Sequence, residues 1–126
     1  MGDPVNGRSI LLVEDDDAIR ESVAECLDAE GYTVAMVENG VAGLEWLHRS
    51  APPDLVVLDL VMPVMNGAQF LETLRADPAL RDLPVVLMTA ALPSEQLPVP
   101  VADGYLTKPF ELDQLLETVA RHARRP

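Results

Sequence analysis

The feature that most constrains this fold is a regular alternation of short apolar runs with stretches of helical spacing. Most of the runs are apolar throughout, which indicates strands buried on both faces. Such strands alternating with helices form a parallel sheet covered by helices on both sides. Because crossovers are right-handed, strand order 2-1-3-4-5 is one of two common solutions, and we expect this doubly wound α/β fold. The predicted strands are residues 10–13, 32–37, 55–60, 85–88 and 104–107.

Helical stretches follow the first, second, third and fifth predicted strands. Asp17 is the predicted N-cap of the first helix, and Gly31 ends it. We expect residues 9–121 to form one domain, with a flexible lead-in at 1–8 and a tail at 122–126. The expected inner faces of the second, third and last helices are Val41, Leu44 and Leu47; Phe70, Leu71 and Leu74; and Leu112, Leu115, Leu116 and Val119.

The amino-acid composition of the chain limits the classes of function that it could have. The 126 residues carry 21 Asp and Glu against 9 Lys and Arg, a formal charge of −12, which disfavours direct nucleic-acid binding. A single cysteine forms no internal disulfide and suits the cytosol. The apolar runs are too short to span a membrane, and no leader pattern opens the chain. We therefore expect a cytoplasmic domain without a membrane or nucleic-acid partner.

Asp59 is the one ionisable residue in the middle of the apolar run formed by Leu55 to Leu58 with Leu60, just before a turn rich in Pro, Asn and Gly. Burying a carboxylate without a partner costs several kcal/mol or forces it to take up a proton. A functional role is one explanation for an Asp at this position. The alternative is an Asp that caps the strand end or the next helix.

Other polar residues follow the remaining strands, and in order 2-1-3-4-5 they converge at the switch point between strands one and three. Clustered carboxylates repel one another unless a cation neutralises them. Oxygen ligands without His or Cys select Mg²⁺ or Mn²⁺ rather than Zn²⁺. The residues concerned are Glu14, Asp15 and Asp16 after strand one, Asp59 in strand three, Thr89 after strand four and Lys108 after strand five.

A divalent cation, a Lys and a Thr around one carboxylate are suited to binding phosphoryl oxygens. Lys108 supplies a point charge and Thr89 a hydroxyl donor. Asp59 is then the natural nucleophile, and it would form an aspartyl-phosphate.

Four motifs in this order resemble the receiver domain of two-component response regulators, over about residues 9–121. They are the acidic pair after strand one, Asp-x-x-Met-Pro-x-Met-x-Gly at 59–67, Thr-Ala after strand four and Lys-Pro-Phe after strand five. The resemblance implies a flavodoxin-like fold and a signalling switch rather than an enzyme. Its partner would be a sensor histidine kinase or a histidine phosphotransfer protein, and the downstream partner is unknown.

The resemblance also implies roles for single residues. Asp59 would accept the phosphoryl group from a partner's phosphohistidine. Asp15 and Asp59 would bind Mg²⁺ (Mn²⁺ being a second option) through their carboxylates, with the backbone carbonyl of Val61 as a further ligand. Glu14 would act on the ion through water.

Thr89 and Lys108 would bind the phosphoryl oxygens, and Tyr105 matches the aromatic residue that changes rotamer as the Thr moves. Each has an alternative interpretation, since Lys108 could be an ordinary surface charge and Tyr105 an edge-strand aromatic. Asp16 lies outside the family's acidic pair and is interpreted as a solvated loop charge. His48 and His122 lie near predicted helix ends and are interpreted as solvated, so the phosphodonor should be another chain.

The chain departs from the family at residues 91–103, where three prolines predict a shortened or irregular fourth helix. This segment borders the face by which receivers signal or dimerise. In receivers, the side chains at the positions of Val61 and Ala91 lie nearest the path of a water that would attack the aspartyl-phosphate. Both are apolar here, which predicts a long-lived phosphorylated state.

Two other function classes compete with the switch. A phosphatase of the haloacid-dehalogenase type needs a general acid two residues after its nucleophile, where this chain has Val61. A receiver-like interaction module that is never phosphorylated is the other alternative. The motifs alone leave open whether the chain stands alone or belongs to a larger regulator.

Overall fold

The computed structural model describes residues 8–62, 65–89 and 101–123. Its strands form one parallel five-stranded sheet in the order β2-β1-β3-β4-β5. The predicted doubly wound α/β fold is therefore confirmed. The elements, in chain order, are β1 Ser9–Val13, α1 Asp17–Ala29, β2 Thr33–Val37, α2 Gly40–Arg49, β3 Leu55–Asp59, α3 Gly67–Ala76, β4 Val85–Thr89, β5 Gly104–Thr107 and α4 Leu112–His122.

The strands are apolar throughout because each face of the sheet is covered by its own pair of helices. In β1, Ile10 and Leu12 pack on one face, whereas Leu11 and Val13 pack on the other. Alternate side chains of a strand point to opposite faces, so both sets must be apolar. The first face is covered by Val23, Ala24 and Leu27 of α1 with Leu115 and Val119 of α4, and the second by Leu47 of α2 with Phe70, Leu71 and Leu74 of α3.

The two edge strands differ from the three central ones. Every residue of β3 and β4 is buried, as are the residues of β1 after Ser9. In contrast, β2 has no fully buried residue, and β5 alternates buried with exposed residues. The interior of the sheet, where β1, β3 and β4 lie side by side, is therefore its driest part.

Helix α1 corrects two predictions. Its N-cap is Asp16, whose Oδ1 accepts a hydrogen bond from the Ile19 N–H at 2.9 Å, and not Asp17. Asp16 is thus a cap rather than a purely solvated loop charge. Asp17 is the first helical residue and pairs with Arg20. By residue type, either acid could cap the helix. Val23 must lie against the sheet, and this requirement fixes where the helix begins, so that Asp16 becomes the N-cap.

Two predicted inner-face residues are exposed instead. Val41 in α2 and Leu112 in α4 both face solvent. The buried face of α2 includes Gly43 and Leu47, and a Cβ on Gly43 would lie 2.9 Å from Cε1 of Phe70. Gly43 therefore permits close packing of α2 on α3, and this contact turns Val41 outward.

The predicted irregular segment falls mostly outside the described residues, which include only its last three positions, 101–103. At the two chain ends, Arg8 is buried, α4 extends to His122 and Ala123 is buried. Among the helices that the structure describes, none is long and apolar enough to cross a membrane.

Candidate functional site

The register of the two central strands brings the first two acids together. Val13 of β1 lies opposite Leu58 of β3. The residues that follow them, Glu14 and Asp59, are therefore neighbours at the carboxyl edge of the sheet. Strand order and register, rather than nearness in sequence, bring these two carboxylates into contact.

The next two strands continue this edge. Asp59 pairs with Met88 of β4, so Thr89 comes one position later, and Thr89 pairs with Thr107 of β5. Lys108 follows directly, and its main-chain N–H donates to the Thr89 carbonyl at 2.7 Å. The sequence prediction that these strand ends converge is correct in its geometry.

Lys108 links the two buried acids. Its Nζ lies 3.2 Å from Oε1 of Glu14 and 3.2 Å from Oδ1 of Asp59. Glu14 is 1% exposed and Asp59 is 5% exposed, and Thr89 is also buried. The interpretation of Lys108 as an ordinary surface charge is wrong, because an ammonium group held by two buried carboxylates is an integral part of the cluster.

The protonation of the cluster reflects its burial. The pKa of Glu14 rises from 4.5 to about 7, mainly because the carboxyl is buried. The neighbouring Asp59 raises this pKa further, whereas the hydrogen bond from the Asp16 N–H and the charge of Lys108 lower it. Burial alone would lower the pKa of Lys108, but the charges of Asp59 and Glu14 outweigh that effect and raise it above 10.5. Lys108 therefore stays cationic, and the cluster has more carboxylate than one cation can stabilise.

The chemistry of the donor set fits a hard divalent cation. Carboxylate oxygens of Glu14, Asp15 and Asp59 all lie within 4.8 Å of one another, with Asp15 exposed and the other two buried. Two oxygens on one Mg²⁺ at 2.0–2.1 Å would lie about 2.9 to 4.2 Å apart, so small side-chain movements suffice. The exposed side of Asp15 leaves room for the water ligands that Mg²⁺ keeps.

The turn after Asp59 depends on Gly67. Its N–H donates to the Leu60 carbonyl at 2.8 Å, and a Cβ at this position would lie 2.6 Å from the Asp59 carbonyl oxygen. Only a residue without a side chain allows α3 to start so close to the end of β3. The Val61 N–H reaches Oδ1 of Asp59 at 3.4 Å, and the Val61 side chain is 73% exposed at the rim of the cluster.

Tyr105 lies on edge strand β5, and its exposed ring carries a hydroxyl that accepts a hydrogen bond from the Ala102 N–H at 2.8 Å. This position is compatible with both interpretations of the residue. His48 and His122 lie away from the cluster: His48 is at the end of α2, 3.4 Å from Asp77, and His122 packs against Gly104 at the start of β5.

Sequence reasoning missed two supports of the acidic loop. The Asp16 N–H donates to Oε2 of Glu14 at 3.1 Å, and Nη1 of Arg20 donates to the Glu14 carbonyl at 2.8 Å. These bonds fix the backbone and the carboxylate of Glu14 from the side of α1. A basic residue in the first turn of a helix, after the four consecutive acids at 14–17, is the signal that could have indicated these bonds.

The comparisons with known proteins agree with this geometry. Residues 10–120 match the family model of the response regulator receiver domain. Response regulator MprA of Mycobacterium ulcerans is 39% identical over 92% of this chain and 50% of its own length. The DNA-binding dual master transcriptional regulator RpaA of Synechocystis is 37% identical over 92% of this chain and 49% of its own length. This chain thus spans about half the length of these relatives.

Solved structures give the same result. The chemotaxis protein CheY4 of Vibrio cholerae superposes with a TM-score of 0.82 at 29% identity, covering 91% of this chain and 98% of that one. The receiver domain of sensor histidine kinase PA1611 from Pseudomonas aeruginosa, solved with a magnesium ion in its active-site cleft, gives 0.82 at 27% identity, covering 92% and 97%. With the fold, the edge cluster and the family match in agreement, this chain belongs to the response regulator receiver domains of two-component systems.

Proposed function

We propose that this chain is a phosphorylation-dependent switch in which Asp59 accepts a phosphoryl group from a phosphohistidine of a sensor histidine kinase or histidine phosphotransfer protein. The observation that carries the proposal is the buried Asp59 carboxylate at the switch point, 3.2 Å from Lys108 and within metal-sharing distance of Glu14 and Asp15. Asp59 accepts a main-chain bond from the Val61 N–H, but a carboxylate used only as a cap would not also share a cation with a second buried acid.

In the transfer, an ionised Asp59 oxygen attacks phosphorus, forming the P–O bond as the P–N bond to the donor imidazole breaks. The imidazole nitrogen takes the electron pair of that bond. Lys108, kept cationic by its two carboxylate neighbours, would bind a phosphoryl oxygen, and the Thr89 hydroxyl would bind another. Donors fixed before the reaction stabilise the charge that develops in the transition state.

Glu14, Asp15 and Asp59 would hold Mg²⁺, or Mn²⁺ in its place, with the Val61 carbonyl as a further ligand. The bound ion would neutralise phosphoryl charge beside Asp59. The oxygen-only donor set supports this assignment, as does the magnesium ion in the cleft of the Pseudomonas receiver domain. Tyr105 would report the phosphorylated state by changing its rotamer as Thr89 moves.

The chain's relatives are response regulators, which argues against a classical enzyme. The phosphatase alternative finds no support, because Val61 offers no acid where a dehalogenase-type catalyst needs one. We also propose a cytoplasmic location and no direct nucleic-acid contact by this chain itself, given its charge of −12. Any DNA binding of a longer protein would belong to segments beyond it.

The test is intact-protein mass spectrometry after incubation with acetyl phosphate and Mg²⁺. We expect the wild type to gain one phosphoryl group and Asp59→Asn to gain none. The matched control is Asp54→Asn, at the other end of β3, which keeps an oxygen acceptor for the Ser9 N–H and should label normally. Labelling of Asp59→Asn at the wild-type level would refute the acceptor assignment, and an unlabelled wild type would favour the interaction-module alternative.

A further inference from the structure

A groove outside the acidic cluster lies between α1 and the edge strand β2. Its cavity volume is about 320 Å³, at the small end of the roughly 300–1,000 Å³ typical of ligand pockets. Its floor is apolar, including Met36, which is 49% exposed, and its wall is acidic. The lining residues of this α1–β2 groove are Glu21, Ala24, Glu25, Asp28, Val34 and Met36.

The main chain beside the groove has unused pairing capacity. In the part of the chain that the structure describes, β2 pairs with β1 alone. The Thr33 N–H donates to Arg8 and the Val37 carbonyl accepts from Glu14, so alternate residues face β1. The N–H and C=O groups of Val34 and Met36 therefore point away from the sheet, where an added strand could bond them.

The acids of the groove wall are not explained by the stability of α1. Acidic groups near a helix C-terminus oppose the helix dipole, and Glu21 and Glu25 repel each other at i, i+4. Of the four described helices, α2, α3 and α4 have a basic residue in the last turn, and α1 has none. Glu25 and Asp28 therefore form a negative wall that the helix itself does not favour.

We propose that the α1–β2 groove binds a basic segment of a partner protein, added in extended form along β2 with the aliphatic stems of its Lys or Arg side chains against Met36 and Val34. The apolar floor and the acidic wall together select this occupant. Its alternate residues that face α1 would be Lys or Arg, whose stems would cover the floor while their charged ends reach Glu21, Glu25 and Asp28. An anionic surface, whether nucleic acid or lipid, would be repelled by the same wall.

The probe is a capped seven-residue peptide that alternates Lys with Val, titrated into the ¹⁵N-labelled full chain and followed by NMR. We expect saturable shifts at Ala24, Val34 and Met36, and none with a peptide in which Glu replaces Lys. Shifts that never saturate, or that lie outside the groove, would overturn the proposal.

A charge-matched pair of variants separates groove binding from general attraction to an acidic protein. Glu25→Lys and Glu45→Lys change the net charge equally, but Glu45 lies on the exposed surface of α2. We expect the first to weaken peptide binding roughly tenfold and the second by less than about twofold. Equal losses would reduce the effect to non-specific electrostatics and overturn the proposal.

Two further variants and one control test the role of the apolar floor and the effect of the acidic wall on the stability of α1. Met36→Gln should weaken binding, whereas Val41→Gln, at an exposed valine on α2, should not. Asp28→Lys should raise the midpoint of thermal unfolding while it weakens binding, because a base suits the helix end. A dimer of the free chain that Met36→Gln dissociates would assign the groove to a second copy and overturn the proposal.

Normal labelling of all these variants by acetyl phosphate would show that the groove acts independently of Asp59.

Discussion

The two ends of the sheet hold their acidic side chains in opposite ways. At the amino end, Asp54 precedes β3 and accepts a hydrogen bond from the Ser9 N–H at 2.8 Å. Asp103 precedes β5 and accepts from the Val85 N–H at 2.8 Å and from Arg75 at 3.1 Å. Each acid there satisfies the first N–H group of a neighbouring strand, so the charge is part of the scaffold.

At the carboxyl end, Glu14 and Asp59 face each other and share one cation, Lys108. Burial of the Glu14 carboxyl, with a smaller contribution from Asp59 beside it, raises the pKa of Glu14 to about 7, so a proton or an added cation would stabilise this end of the sheet. Glu14 and Asp59 also accept bonds from main-chain N–H groups. The difference teaches that acids spaced apart along the sheet build the fold, whereas two buried acids that share one cation prepare a binding event.

The largest expected effect is a pH dependence of stability at the carboxyl end. With Mg²⁺ removed, folded Glu14 keeps its proton up to pH about 7, whereas the unfolded chain loses it near pH 4.5. The folded state thus binds more protons between these values, and the free energy of unfolding should fall as pH rises through this window, by at most about 3 kcal/mol. Urea unfolding in EDTA from pH 4.5 to 8 measures it.

Glu14→Gln is the control for this prediction. Its amide keeps an oxygen for Lys108 or the Asp16 N–H and carries no titrating charge. The variant should therefore lose this part of the pH dependence and be more stable than wild type at pH 8. Parallel curves for the two proteins would contradict the claim that Glu14 is under electrostatic stress.

At the amino end we expect the opposite result from removing an acid. Asp103→Ala leaves the N–H of buried Val85 without its partner and should lower the free energy of unfolding by about 2 kcal/mol. Arg75 loses one bond but keeps the carbonyls of Arg81 and Leu83 as acceptors. Glu72→Ala, at an exposed position of α3, should stay within about 0.5 kcal/mol of wild type. An Asp103→Ala protein as stable as wild type would contradict the claim that the acids at the amino end of the sheet stabilise the fold.

Magnesium should stabilise the fold through the carboxyl end alone. At free Mg²⁺ ten times the dissociation constant, the gain should be about 1.4 kcal/mol. Thermal melts with and without Mg²⁺ at constant ionic strength measure it. Asp103→Ala should keep this increment, whereas Glu14→Gln should reduce it. A midpoint that does not respond to Mg²⁺ would mean that the acidic cluster binds no cation.

The smallest expected effect concerns the lifetime of the phosphorylated state. Val61 offers no polar group to orient an attacking water, so Val61→Asn should speed loss of phosphate about tenfold. The decay of the phosphorylated protein after donor removal measures it. Val101→Asn is matched in chemistry but lies at the amino end, 86% exposed, and should leave the rate unchanged. If Val61→Asn decays no faster than wild type, another group must position the water.

Much of the fold was predictable because its signals are local. Apolar runs without alternation indicate buried parallel strands, and their order followed from handedness rules. The same rules placed Asp59 beside Glu14 and Lys108 without coordinates. The prediction that Ala91 borders the site, by contrast, concerns a residue outside the described part of the chain.

Only the tertiary structure decided which of several equivalent residues is used. Asp16 rather than Asp17 caps α1, and Val41 turns outward because Gly43 packs against Phe70. Sequence periodicity gives the angular spacing of side chains around a helix, but packing against the sheet sets the helix's rotation and starting point. The protonation of Glu14 is likewise tertiary, because it depends on burial and on a carboxylate that lies 45 residues further along the chain.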